Sequence, residues 1–108
     1  MLLLNVHYAI GFLVVLTSLG AIFWEPARRI VLYVLVLQIV VGFAVWGVTK
    51  AAPPPAHWIL AILNGGTYAM GSAFARRGRP RPVVIATYVI GFVVFAIVFN
   101  LGMQAVRG

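Results

Sequence analysis

Four long apolar stretches, separated by short segments that carry most of the charge, constrain this chain more than any other feature. Each is about 20 residues long, the length that an α-helix needs to cross a bilayer. Of 108 residues, 64% are hydrophobic and one is acidic, so a soluble domain of this size could not bury the apolar surface. The sequence predicts an all-α membrane protein, one domain over residues 1–108, folded as an up-down bundle of four transmembrane helices. The predicted spans are residues 2–24, 29–49, 55–74 and 83–106.

The basic residues are distributed unevenly along the chain. Six arginines lie in, or at the edge of, two of the three predicted connections, whereas the opposite face carries only Lys50, Arg107 and the α-amino group. Basic residues in short loops stay on the cytoplasmic side, so both termini are expected outside a bacterial or archaeal inner membrane. This pattern, and not nucleic-acid binding, explains the formal net charge of +7. The six are Arg28, Arg29, Arg76, Arg77, Arg79 and Arg81.

The residue types that the chain lacks exclude several kinds of chemistry. There is no cysteine, which excludes disulfides, iron–sulfur clusters and thiol catalysis. Glu25 is the only acidic residue, so a zinc, calcium or magnesium site built from protein ligands is not expected. A proton-coupled transporter usually needs a carboxylate inside the membrane, and the predicted spans contain none. No catalytic residue is predicted, and a small transporter or channel is the least favoured interpretation.

The two histidines, His7 and His57, each lie near the start of an apolar stretch. In an up-down bundle the first and third helices are parallel, so both imidazoles are expected at a similar depth near the outer face. Such a pair can ligate a haem iron between two helices. We therefore predict one b-type haem per chain with His7 and His57 as axial ligands. The alternative is that they are interfacial residues of an aromatic belt, beside Tyr8 and Trp58.

Small residues near the histidines indicate where a flat macrocycle would fit. Gly11 and Ala61 each lie one helical turn below a histidine on the same face of the helix. Gly42 and Gly91 lie in the second and fourth stretches, which would flank the ring. The propionates are expected to point outward, towards Lys50 among others. These five residues complete the predicted cofactor-binding set.

Five polar residues inside the apolar stretches are expected to face the bundle interior and form hydrogen bonds between helices. They are Gln38, Asn64, Thr67, Tyr68 and Asn100. The third stretch is the most polar, so it is expected to be the least exposed to lipid.

The two halves of the chain resemble each other. His7 matches His57, the first arginine pair matches the second, and Gly42-Phe43 matches Gly91-Phe92, with offsets of 50, 48 and 49 residues. The bundle is therefore predicted to consist of two helical hairpins repeated in the same orientation.

The segment from the second stretch to the third resembles the haem A synthase family. That family has a helix with Gln-x-x-x-Gly, a proline-containing outer loop and a histidine opening the next helix; Gln38, Gly42 and His57 match in order. His7 falls where the family's earlier histidine-led helix would lie, and the chain resembles one of the family's two four-helix halves. The resemblance implies a haem-binding histidine pair.

This chain departs from the family's reactive half at several positions. Leu4 stands where that half has a glutamate, and Tyr8 and Trp58 replace the arginine that follows each histidine. The outer-loop cysteine pair is also missing. Synthase activity is therefore not predicted, and electron transfer or a role as the haem-bearing subunit of a membrane complex is favoured.

A haem-free accessory subunit of a respiratory or photosynthetic complex is the alternative function. Its smooth apolar helix faces would then be the interface with partner membrane subunits. On either interpretation the surroundings are the lipid bilayer together with other subunits or further copies of the chain, and nucleic acid is not a partner.

The arginine distribution yields a topology prediction. A reporter that is active only in the cytoplasm, fused to the C-terminus, should give no signal, because the arginine-bearing connections are retained on the cytoplasmic side. A strong signal from that fusion would reverse the orientation and place both histidines on the inner side.

Overall fold

The computed structural model describes the backbone of residues 2–107 and the side chains of residues 2–104. Over this range the chain forms four α-helices, as the sequence predicts, joined by short connections. The first and second helices are separated by Trp24 alone. The helices are α1 (Leu2–Phe23), α2 (Glu25–Thr49), α3 (Pro55–Arg76) and α4 (Arg81–Arg107).

The connections begin and end where the local sequence disfavours a helix. Trp24 has an extended backbone (φ −129°, ψ 116°) and is followed by Pro26 in the first turn of α2. At the other end of α2, Lys50 adopts a left-handed conformation (φ 61°) and its N–H donates to the Trp46 carbonyl. Pro55 is the first residue of α3, a position where the missing N–H costs nothing.

The arginines lie closer to the helices than the sequence predicts. Because α2 begins at Glu25 and not at residue 29, Arg28 and Arg29 belong to its first turns. Arg76 is the last residue of α3 and Arg81 is the first of α4, which leaves Arg77 and Arg79 in the connection itself. The prediction that all six arginines occupy loops is therefore wrong.

The four helices pack as a ring in chain order. Each helix contacts the next, and α1 also contacts α4, so α1 lies diagonally opposite α3 and α2 diagonally opposite α4. The short connections make neighbouring helices antiparallel, which brings the N-terminal ends of α1 and α3 to the same end of the bundle. The predicted up-down arrangement is confirmed for the described residues.

The outer surface of the bundle is apolar. Leu16, Val40, Leu63 and Val93, one from each helix, are 67, 60, 60 and 52% exposed. Three of the described helices are long and apolar enough to cross a membrane, namely α1, α2 and α4 over Arg81–Gln104. These features indicate a membrane protein. The third helix does not meet the same criterion, because polar residues interrupt its middle.

The polar residues of α3 point inward. Asn64 and Tyr68 are fully buried and Gln38 of α2 is buried as well, as predicted. The predicted hydrogen bond between helices is found for Tyr68 only, because Asn64 Nδ2 and Oδ1 and Gln38 Oε1 have no partner among the described residues. Thr67 is half-buried and bonds to the Leu63 carbonyl of its own helix, whereas Asn100 is exposed, so the predicted interior position of Asn100 is wrong.

Two tyrosines form the centre of the packing between α3 and α4. The rings of Tyr68 and Tyr88 stack with centroids 5.9 Å apart, and the Tyr68 hydroxyl donates to Ser18 Oγ of α1 at 2.6 Å. Each ring lies against a glycine of the other helix: Tyr68 against Gly91, and Tyr88 against Gly71, where a Cβ would lie 2.9 Å from Cε2 of the ring. Side chains at either glycine would therefore separate the two helices.

Arg28 connects three helices at the arginine-bearing end of the bundle. Its Nε donates to the Ala21 carbonyl (2.7 Å) and its Nη2 to the Ile22 carbonyl (3.3 Å), two of the last carbonyls of α1 that lack a partner within the helix. Its guanidinium also lies 5.1 Å from the ring centroid of Tyr88 in α4. Arg28 is thus a structural residue of the bundle.

The buried positions reveal a repeat whose register differs from the predicted one. Val14, Ser18 and Ala21 of α1 correspond to Asn64, Tyr68 and Gly71 of α3, an offset of 50 residues. The buried residues Val31, Leu35 and Gln38 of α2 correspond to Gly91, Phe95 and Val98 of α4, an offset of 60. The predicted match of Gly42 with Gly91 is therefore wrong by 11 residues.

The extra residues of the second hairpin lie at the arginine end. The end of α3, the connection that follows and the start of α4 are each a few residues longer than their counterparts in the first hairpin. The second hairpin consequently extends about one helical turn further, and this extension carries four of the six arginines.

The buried tyrosine gives a stability prediction. Tyr68→Phe should lower the free energy of unfolding by about 1 kcal/mol, since it removes a hydrogen bond between helices and leaves the Ser18 hydroxyl without it. Tyr33→Phe, which alters a ring that is 77% exposed, is the matched control and should have no effect. Unfolding in mixed micelles with increasing sodium dodecyl sulfate measures both; equal stability of the two variants would contradict a structural role for the bond.

Candidate functional site

A cavity of about 330 Å³ lies at the end of the bundle where α1 and α3 begin and α2 and α4 end. All four helices and the α2–α3 connection contribute to it, and its volume is within the range of small-molecule sites, about 300–1,000 Å³. Its polar lining consists mainly of His7, Tyr8, Gln38, Thr49 and His57. The apolar lining includes Leu4, Leu35, Ile39, Phe43, Trp46, Trp58, Phe95, Val98, Phe99 and Met103.

The two histidines face each other across this cavity. Their ring centroids are 6.5 Å apart and the ring planes are nearly perpendicular, at 89°. They come from the diagonally opposed helices α1 and α3, and both are half-buried. The prediction that His7 and His57 lie at the same depth on parallel helices is confirmed.

The environment of His57 selects one tautomer. Its Nδ1 lies 2.8 Å from the carbonyl oxygen of Val98 in α4. A carbonyl can only accept a hydrogen bond, so Nδ1 carries the proton, and the Nε2 lone pair of the neutral ring is available to a ligand. Metal-ligating histidines are commonly held by such a bond from the other ring nitrogen.

Gly102 allows the His57 ring to reach that carbonyl. Gly102 lies one turn after Val98, and a Cβ built on it would be 2.7 Å from Cε1 of His57. The imidazole therefore lies directly on the backbone of α4, where any larger residue would displace it.

His7 is packed in the same way but is bonded differently. It lies against Gly42 of α2, where a Cβ would be 3.0 Å from Cε1 of the ring. The His7–Gly42 and His57–Gly102 contacts correspond to each other under the offsets of 50 and 60 residues. Unlike His57, His7 has its Nδ1 buried without a hydrogen-bond partner among the described residues.

Two more buried polar atoms lie on the His7 side of the cavity. The Tyr8 hydroxyl and Gln38 Oε1 line it and make no hydrogen bond within the described part of the chain. Buried polar atoms without partners are rare in folded proteins. Together with His7 Nδ1 they make this the part of the cavity that fits the polar atoms of a bound molecule or water.

Only some of the predicted site residues line the cavity. His7, His57, Gly11, Ala61 and Gly42 line the cavity. Gly11 is packed more tightly than predicted, since a Cβ there would lie 3.1 Å from Gln38 Nε2 and 3.5 Å from the Phe99 ring.

Gly91 and Lys50 are not among the lining residues. Gly91 lies against Tyr68, 11 residues or about 16 Å along α4 from Gly102, which occupies the place predicted for it. Lys50 is exposed and lies directly after α2 as its C-terminal cap.

An aromatic cluster of Phe43, Trp46 and Trp58 borders the cavity between α2 and α3. The three ring centroids are 6.0–6.3 Å from one another. The sequence patterns indicate Trp58 only as part of the aromatic-belt alternative and Phe43 only as part of the internal repeat, and neither Trp46 nor Gly102 is predicted at the site. The spacing of Val98 and Gly102, one turn apart on the same face of α4, is the sequence feature that could have identified Gly102 as a site residue.

The number of ligands limits which metals this site can hold. Within the described residues no group of three or more histidine, cysteine, aspartate or glutamate side chains could hold a metal ion. Two histidines alone are too few for the usual zinc sites. They suffice for a metal that arrives in a macrocycle with its own equatorial ligands, such as haem iron.

The separation of the histidines fits that case. A metal-bound imidazole nitrogen lies about 2.0–2.1 Å from the metal and roughly 1.1 Å from its ring centre, so one shared metal sets two opposed ring centres about 6.3 Å apart. The observed separation is 6.5 Å.

Comparison of the chain with family models, curated proteins and solved structures finds no match.

The glycine under His57 gives a prediction that does not depend on a cofactor. Gly102→Ala should destabilise the bundle relative to Gly47→Ala by about 1–3 kcal/mol, because its methyl group overlaps the His57 ring. Gly47 has nothing within 4 Å of a built Cβ, so it controls for the helix propensity gained in both variants. Micellar unfolding measures the difference; equal stability would mean that the ring does not lie on α4.

Proposed function

We propose that this protein binds one b-type haem in a four-span membrane bundle, with His7 and His57 as the axial ligands. The observation that carries the proposal is the pair of opposed imidazoles 6.5 Å apart in a cavity. The Nδ1 bond of His57 to a backbone carbonyl supports it, because that bond leaves Nε2 available to a metal. The sequence resemblance to one half of the haem A synthases points to the same residues.

The proposal treats α3 as a fourth span despite its lower hydropathy. The helix has 22 residues, enough to cross the hydrocarbon core. Its most polar residues, Asn64 and Tyr68, are fully buried, whereas Ile62, Leu63 and Met70 face outward. A helix with this distribution presents an apolar face to lipid and keeps its polar side chains inside the bundle.

The histidine end and the arginine end are at opposite ends of the bundle. With the arginines cytoplasmic, the cavity opens to the outer side and both termini lie outside. Bound haem would supply one-electron chemistry, and with both axial positions taken by protein the site suits electron transfer. The chain is then a carrier or a haem-bearing subunit and not an enzyme.

Spectroscopy of the purified protein, oxidised and reduced, tests the proposal. His7→Ala and His57→Ala should each abolish the low-spin bis-imidazole spectrum, since one ligand leaves the iron with an open or water-occupied position. Asn5→Ala, an exposed polar residue at the same end, is the control and should retain the spectrum. Unchanged spectra in both histidine variants would eliminate this ligand pair, and a wild-type protein without haem would favour the accessory-subunit alternative.

The two ligands should also differ in strength. His57 Nδ1 bonds to the Val98 carbonyl, whereas His7 Nδ1 has no partner among the described residues, and an orienting bond of this kind is typically worth about 10–100-fold in the metal affinity that a ligating histidine supports. His57→Ala should therefore lose more haem than His7→Ala when both are titrated with haemin. Equal losses would show that the Val98 bond does not strengthen ligation.

A further inference from the structure

A second cavity, an open recess of about 490 Å³ lined mostly by exposed residues, lies at the opposite end of the bundle. It lies where the second hairpin extends further than the first. Most of its lining residues come from the α3–α4 connection and the start of α4 on one side and from the start of α2 on the other. Arg28, Arg79 and Arg81 line it together with a single carboxylate, that of Glu25. Phe23 and Val84 supply apolar surface beside them.

The charge of this cavity is unbalanced. Three guanidiniums against one carboxylate give the lining a net charge of +2. Like charges gathered around one space repel each other, and an anion inside that space relieves the repulsion. The helices α2 and α4 both begin at this cavity, and the N-terminal end of a helix also favours negative charge.

One of the three arginines is already held in position. Arg28 uses Nε and Nη2 to bond the carbonyls of Ala21 and Ile22, and it lies over the Tyr88 ring. A guanidinium has five N–H donors, so Arg28 keeps donors free while its side chain is fixed. An anion bound there would not have to order this side chain.

We propose that this cavity binds the phosphate of an anionic phospholipid, with Arg28, Arg79 and Arg81 as its ligands. Guanidinium groups pair with phosphate oxygens through charge-assisted hydrogen bonds. The apolar side of the cavity, where Phe23 is 77% exposed, offers surface for the glycerol and the first acyl carbons of a lipid. Basic pockets between spans on the cytoplasmic side are suited to such headgroups. This site is independent of the haem proposal.

The chain offers a matched pair of variants for the test. Arg79→Gln/Arg81→Gln removes two charges that line the cavity and leaves the structural residue Arg28 in place. Arg76→Gln/Arg77→Gln removes two charges from the same region, where both residues are exposed and neither lines the cavity. General attraction to a negatively charged bilayer should fall equally in the two variants.

Binding of dioleoylphosphatidylglycerol and dioleoylphosphatidylcholine to the full chain in detergent, followed by native mass spectrometry, separates the outcomes. We expect the wild type to prefer phosphatidylglycerol, and the Arg79/Arg81 variant to bind it roughly tenfold more weakly than the Arg76/Arg77 variant, since charge-assisted bonds are lost only in the former. Equal losses in the two variants, or no preference for phosphatidylglycerol, would overturn the proposal. Displacement of the lipid by millimolar inorganic phosphate would overturn the lipid assignment and identify free phosphate as the ligand.

Discussion

Close contact between aromatic rings and glycine backbones is the interaction on which the rest of this bundle depends. In lipid there is little hydrophobic gain from bringing apolar helices together, so association relies on close packing and on hydrogen bonds between helices. Here each of four rings lies on the backbone of a neighbouring helix, at a glycine where a Cβ would collide with it. The pairs are His7 with Gly42, His57 with Gly102, Tyr68 with Gly91, and Tyr88 with Gly71.

These contacts divide the bundle into two levels with different chemistry. At the tyrosine level the two rings stack, Tyr68 bonds to Ser18 of α1, and Tyr88 lies beside Arg28 of α2. At the histidine level the rings stand apart at a cavity. Buried polar atoms without a partner among the described residues occur at both levels, but those of His7, Tyr8 and Gln38 belong to residues that line this cavity. The first level stabilises the bundle, and the second is the one that fits a ligand.

The two ends of the molecule also differ in charge and shape. The histidine end contributes a largely apolar cavity, whereas the arginine end contributes a basic cavity that exists because the second hairpin is longer than the first. A repeat with equal hairpins would place both helix pairs at the same height and would lose this recess. The proposed haem and phosphate sites thus arise from one internal repeat that is symmetric at one end and asymmetric at the other.

The sequence by itself determined the four helices, their up-down order and the meeting of His7 with His57, because short connections leave adjacent helices no other direction and equal depths follow from residue counts. It also placed Gly42 correctly. Only the tertiary structure decided the partner of His57, since Gly91 and Gly102 are 11 residues apart, close to three full turns, and so lie on the same face of α4. Helical periodicity therefore identifies the face of α4 that contacts His57, but it does not identify which glycine on that face lies at the level of the ring. The level of each glycine depends on the extra residues of the second hairpin, which shift the numbering of α4 relative to α2. That shift becomes visible only when the helices are packed.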